Sequence, residues 1–322
     1  MTNAVSIAQQ GSNNTTFRNR IINGAMMIDQ RNAGASQTLG VGNTYAVDRW
    51  LVGVATAAVT GQRVAGIGGY QYAFRITGGA SNAGVFLTQR IESYNVSDLV
   101  SSNVTFSCVI AASAITSITW TAYYPTVTDS FGTVTQIATG TFSGITSSAQ
   151  TFTTTFNAGA SVANGLQFTF TIGTMTSGTF TITGVQLEAG STASPFEYRS
   201  YGTELALCQR YYFKTLPGAV NIGFGIAYNI NTTSAAGMIS FPAAMRTSPS
   251  ALEQSGTASQ YMIAYLATSN QCTSVPTFGS ASLYSATVVF TVGAVLTAGQ
   301  SSQLRADGIN GALAYLGWSA EL

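Results

Sequence analysis

The chain has 322 residues, enough for two domains or one large one, and it is 46% apolar but only 7% charged. That composition excludes disorder, which needs low hydrophobicity and high charge. The balance of 12 basic against 11 acidic residues offers no basic patch, so binding to nucleic acid by phosphate neutralisation is not expected. No stretch approaches the ~20 apolar residues of a membrane-spanning helix, and residues 1–10 have neither the basic nor the apolar region of a secretory signal. Cys108, Cys208 and Cys272 are too few and too far apart for a disulfide framework or a zinc site. A neutral, charge-poor surface is poorly protected against self-association, which fits a chain that buries surface in an oligomer.

Residues 1–16 are small, polar and without a pattern, and read as an extended arm ordered by a partner. Met26 to Arg31 reads as a strand entering a first domain, and Asn32 to Asn43 as a loop. The group Asp48-Arg49-Trp50 follows, read as an acid and a base beside a core tryptophan. From residue 70 the apolar positions recur every second residue, the mark of strands with one buried face. Tyr70, Tyr72, Phe74 and Ile76 form one such set; Val104, Phe106, Cys108 and Ile110 another; Ile118, Trp120, Ala122 and Tyr124 a third; Phe152, Thr154 and Phe156 a weaker fourth; Leu166, Phe168, Phe170 and Ile172 a fifth. Phe180 and Ile182 begin the last strand, where the phase slips by one at Gly184 and passes to Val185 and Leu187. A glycine at a phase change reads as a β-bulge.

Many short strands with Gly, Ser and Asn turns and almost no helix give a β-sandwich over residues 17–200. Residues 201–217 form a connector with a helix over Leu205 to Tyr212, capped by Thr203, with Glu204 favourably placed in the first turn. The period of two resumes in residues 218–322, at Ile222 to Tyr228, Met238 to Phe241, Tyr261 to Tyr265 and Tyr284 to Val292. This is a second, smaller antiparallel β-domain, ending on a strand near Trp318. The fold class is all-β.

Without histidine there is no Ser-His-Asp or Cys-His site, and no P-loop or metal-protease motif occurs. The eleven acidic residues show no telling pair for sugar cleavage; Asp29, Asp48, Glu92, Asp98 and Glu188 read as turn, cap or salt-bridge residues. No enzyme activity, cofactor or catalytic residue is therefore assigned. Exposed aromatics stack on sugar rings, and Arg and Gln serve sugar hydroxyls well. The carbohydrate-binding candidates are Trp120, Tyr123, Tyr124 and Tyr94, with Gln89 and Arg90. Tyr123 is out of phase with Ile118 and Trp120 and points away from the core if they point in; packing in a subunit interface is the competing role for it.

Several groups recur together in a known family. Asn19-Arg20-Ile21-Ile22-Asn23-Gly24, Ile28-Asp29-Gln30-Arg31 and Val47-Asp48-Arg49-Trp50 resemble the opening of tail-fibre-like virion proteins of tailed bacteriophages. Thr88-Gln89-Arg90-Ile91-Glu92 with Val104-Thr105-Phe106-Ser107, and Gly184-Val185-Gln186-Leu187-Glu188-Ala189-Gly190 with Pro195-Phe196-Glu197, resemble jelly-roll carbohydrate-binding modules. Leu205 to Tyr212, Met245-Arg246-Thr247-Ser248-Pro249 and Ser319-Ala320-Glu321-Leu322 resemble the C-terminal domain of the same phage proteins.

The resemblance implies a jelly-roll first domain, a homotrimer, docking on other virion proteins through residues 1–16, and adhesion to a host cell-surface glycan. It places the chain in the virion, as a tail fibre or on the capsid surface. Carbohydrate-binding modules often carry a structural calcium ion, for which the acids here are sparse. The alternatives are a structural virion protein without a receptor role (capsid fibre, decoration protein or tail adaptor) and a glycan depolymerase.

Overall fold

The computed structural model describes residues 17–322, so the arm expected over residues 1–16 lies outside the described residues. The chain divides into two compact units, one comprising the residues up to Glu204 together with Leu322 and the other Leu205–Glu321. All strand pairings in both are antiparallel.

The first unit is a jelly-roll sandwich of two six-stranded sheets. One runs in the order β1 (Gln37–Leu39), β4 (Val59–Ala65), β5 (Tyr72–Thr77), β12 (Thr179–Ala189), β7 (Asn103–Ala112), β10 (Gln150–Asn157). The other runs β2 (Gly42–Tyr45), β3 (Leu51–Val54), β6 (Val85–Ile91), β11 (Leu166–Gly173), β8 (Ser117–Val127), β9 (Ser130–Ser143). The alternation seen in the sequence fills the space between them. Phe106 of β7 stacks on Phe168 of β11 with ring centroids 3.8 Å apart, and Trp120 of β8 stacks on Phe168 and Phe156 at 5.8 and 5.7 Å.

The phase slip in β12 is a bulge: its register against β7 shifts between Thr183 and Gln186, and Gly184 sits at φ +59°. A Cβ there would lie 2.4 Å from the Tyr70 ring. Tyr70 in turn meets Phe196 edge-on and Tyr198 at centroid distances of 5.2 and 5.8 Å, so a loop and the segment after β12 lie on the outer side of this sheet.

Residues 26–31 correct the sequence reading, since they form no strand. Side chains take over the backbone groups that a ladder would have satisfied. Asn23 Oδ1 accepts from the Ile28 amide at 2.9 Å, and Asn23 Nδ2 donates to the Ile28 and Asp48 carbonyls at 2.7 and 3.0 Å. Asn19 spans the bulge, donating to the Val185 carbonyl and accepting from the Leu187 amide. The stretch 32–43, read as loop, contains β1 and the start of β2.

Asp48, Arg49 and Trp50 are all buried. Asp48 Oδ1 accepts from the Gln30 amide at 2.9 Å, and the Trp50 indole donates to the Asn23 carbonyl at 3.1 Å. The group is a structural corner.

The connecting helix, α1 (Tyr201–Gln209), begins four residues before the expected start. Ser200 takes the capping place given to Thr203, its Oγ accepting from the Thr203 amide at 3.4 Å. Glu204 does stand in the first turn.

The second unit has a three-stranded sheet, β13 (Tyr212–Thr215), β22 (Leu316–Ser319), β16 (Glu253–Gln254). Its larger sheet has seven strands, in the order β18 (Thr268–Gln271), β17 (Tyr261–Tyr265), β21 (Ser301–Ala306), β14 (Gly223–Asn229), β15 (Ser234–Ser240), β20 (Ser285–Thr291), β19 (Thr277–Ala281). They share one core, in which Phe213 and Phe241 pack on Trp318 and Phe224 and Phe290 on Tyr261.

Candidate functional site

The two sheets of the first unit differ on their outer sides. The sheet holding β12 is crossed by Tyr70, Phe196 and Tyr198. The outer side of the sheet holding β8 carries an open groove of about 300 Å³, lined among others by Phe86, Arg90, Tyr123, Gln167 and Thr171.

Strand alternation builds this groove. On β6, Val85, Leu87, Gln89 and Ile91 turn inward, leaving Phe86, Thr88 and Arg90 on the other side. On β11, Phe168 and Phe170 turn inward, leaving Gln167, Thr169 and Thr171 outside. Cross-strand register aligns them in rows. Thr88, Thr169 and Thr121 face one another, with hydroxyls 3.0 Å apart between Thr88 and Thr169 and 3.2 Å between Thr121 and Thr139. In the next row Arg90, Gln167 and Tyr123 are neighbours. Arg90 Nε donates to Gln167 Oε1 at 3.1 Å, Gln167 Nε2 donates to Thr169 Oγ1 at 3.2 Å, and the Arg90 guanidinium lies 5.5 Å from the Phe131 ring centroid. Phe86 is four residues from Arg90 along β6, about 14 Å at ~3.4 Å per residue. The result is a shallow trough with an aromatic ring towards either end, a row of hydroxyls between them, and a cation held in place by an amide.

Of the six candidates from the sequence, the structure brings Tyr123 and Arg90 together here. Trp120 and Gln89 are corrections. Trp120 is 5% exposed, and its ring lies over Gly140, where a Cβ would meet it at 2.7 Å. Gln89 is 1% exposed and clamps the Ile22 backbone, accepting from its amide at 2.8 Å and donating to its carbonyl at 2.9 Å. Neither can reach a ligand on the sheet face. Tyr124 is half-buried and does not line the groove. Tyr94 is 88% exposed on a one-turn 3₁₀ helix outside the groove. Phe86 and Gln167 were missed. The signal for both was phase, since each falls between the inward positions of its strand.

A second polar cluster surrounds the exit of β12. Arg18 Nε pairs with Glu188 at 3.1 Å, and Arg199 pairs with Glu197 and Glu204 at 3.2 and 3.4 Å. Burial raises the Glu197 pKa, but amide donation from Asn19 and Arg18 and the Arg199 charge outweigh it and hold the carboxyl below its ordinary value. These contacts tie residues 18–23 to the segment after β12 and serve structure. Among the described residues no three His, Cys, Asp or Glu side chains converge as metal ligands would. No helix among the described residues is long and apolar enough to cross a membrane.

These features define an all-β protein with a jelly-roll sandwich that leaves one sheet face open. No family model matches the chain, and no curated protein matches it. Similar solved structures include a family 4 carbohydrate-binding module, 18% identical over 52% of this chain and 98% of that one, with a TM-score of 0.34. TmCBM61 in complex with β-1,4-galactotriose is 11% identical over 54% of this chain and 99% of that one, with a TM-score of 0.34. The enzymatically active domain of tailspike protein 4 of bacteriophage CBA120 is 12% identical over 54% of this chain but only 22% of its own, with a TM-score of 0.35. At these scores the likenesses do not bear on this chain's ligand.

Proposed function

We propose that this protein is a bacteriophage virion fibre or receptor-binding protein that adheres, without cleaving, to a host cell-surface glycan. The contact is made by the open sheet face of the first unit. The observation that supports this most directly is the groove with Phe86, Tyr123, Arg90, Gln167 and the threonine rows. Aromatic faces take the apolar CH side of sugar rings, and amide, guanidinium and hydroxyl groups take the sugar hydroxyls. The phage assignment is supported by the motif resemblance of residues 19–24, 28–31, 47–50, 205–212, 245–249 and 319–322. Assembly as a homotrimer raises a weak contact per chain to useful avidity through effective concentration.

Binding of the purified chain to an array of neutral and acidic bacterial glycans tests this reading. Tyr123→Ala and Arg90→Gln should each weaken binding about tenfold, the loss of roughly 1.4 kcal/mol, with a cooperative melt kept in both variants. Variants that bind as well as the wild type would remove the sheet face as the site. An absence of binding to any glycan would favour the structural virion protein instead.

A further inference from the structure

Two glycines set the pose of Phe86. Cross-strand register places Asn43 of β2 against Gly53 of β3, Gly53 against Phe86 of β6, and Phe86 against Thr171 of β11. Gly53 lies between the inward Val52 and Val54, and Gly84 lies two residues before Phe86, so both take outward positions. Outward glycines on an open sheet face would be exposed, yet both are buried. Neighbouring side chains cover them. A Cβ on Gly53 would lie 3.5 Å from Phe86 Cδ2 and 2.9 Å from Asn43 Oδ1, and a Cβ on Gly84 would lie 3.6 Å from Phe86 Cε2. Ring atoms so close to the Cβ level lie along the sheet instead of standing out from it. Phe86 is nevertheless 37% exposed, so the side of the ring away from the glycines is open to solvent. Glycine weakens a strand interior and marks a place of close approach.

We infer that this corner of the groove is a subsite for one uncharged pyranose ring, with Gly53 and Gly84 as its positioning residues. The inference rests on the adhesion reading and adds which end of the groove anchors the glycan, and by what chemistry. The low ring of Phe86 offers a platform for the apolar CH face of a sugar. Thr171 stands on one side of that platform and Asn43 on the other, across the gap left by Gly53. Asn43 is exposed, and its carboxamide has no hydrogen-bond partner among the described residues. It therefore has an acceptor oxygen and two N–H donors for sugar hydroxyls, and Thr171 adds a hydroxyl. Asn43, Phe86 and Thr171 carry no charge. The cation of the groove, Arg90, stands about 14 Å away along β6, too far to meet a carboxylate on the same ring.

Saturation-transfer NMR on the full chain tests this with the methyl β-glycosides of glucose, galactose, N-acetylglucosamine and glucuronic acid. At least one of the uncharged glycosides should receive saturation, strongest on the CH protons of one ring face, and the glucuronide should bind more weakly than it does. Gly53→Ala should weaken that binding about tenfold. Its melting temperature should stay at or above that of the wild type, because alanine suits a strand and the new Cβ displaces only the tip of Asn43 and the edge of the ring. A purely structural glycine would give the opposite pair of results. Gly84→Val and Asn43→Ala are independent variants and should also weaken binding, while Tyr94→Ala, outside the groove, should bind as the wild type does. Binding that Gly53→Ala and Asn43→Ala leave unchanged would overturn the subsite, and so would saturation confined to the glucuronide. If longer array glycans bind the wild type and none of the four glycosides does, the subsite falls and the adhesion reading stands. If neither array glycans nor glycosides bind, both fall.

Discussion

At the scale of single residues, the most constrained positions surround the β12 bulge. Gly184 combines a left-handed backbone with a ring where a Cβ would go, so Gly184→Ala should cost about 2 kcal/mol, read as a lower midpoint in urea denaturation. Ionisable groups nearby set opposite limits in pH. Glu197 titrates below its ordinary value of 4.5 in the folded chain, so the stability it contributes is complete above that pH and is lost as pH falls through the lowered value. Glu197→Gln should therefore flatten the acid side of the stability profile. Burial first, and then the neighbouring Tyr198 and Cys108, push Tyr70 up to about 12 from 10. Its contribution is complete below pH 10 and is lost as pH rises from 10 through 12, so Tyr70→Phe should flatten the alkaline side over that interval. Thermal melts across the pH range check both signs.

Elements carry a different kind of constraint. The stacked Phe106, Phe168 and Trp120 join β7, β11 and β8 across the sandwich, and Phe168→Ala should cost about 3–5 kcal/mol by chemical denaturation. The strands themselves were legible because their apolar period is a direct image of one buried face. The bulge was legible as a break in that period. Residues 26–31 were not, because Asn23 and Asp48 replace the ladder with side-chain hydrogen bonds to Ile28 and Gln30 that leave no period in the sequence. Ser200 and Thr203 can both cap, and only the fold chooses between them. The site was half legible. Phase alone puts Tyr123 outside and Trp120 inside, and it also marks Phe86 and Gln167. Choosing by residue type brought in Trp120 and Gln89, which the packing claims for the core.

The whole molecule is two units with separate cores, and each should hold its own fold. A fragment of residues 17–204 should melt cooperatively, losing from its own unit only the Leu322 contacts to Tyr45 and Arg90. An open, noncooperative melt of that fragment would show that the first core needs the rest of the chain. The difference between the two sheets of the first unit reaches further. On the β12 side, outer side chains are committed to Tyr70, Phe196, Tyr198 and the ion pairs of Arg18 and Arg199. On the β8 side, Phe86, Tyr123 and Thr171 line an open groove. A replacement there alters what the face fits without disturbing the stacked core beneath it. If that face binds as proposed, changes of target can accumulate one residue at a time on a scaffold that stays folded at every step, which is the property a surface needs to keep pace with a receptor that varies.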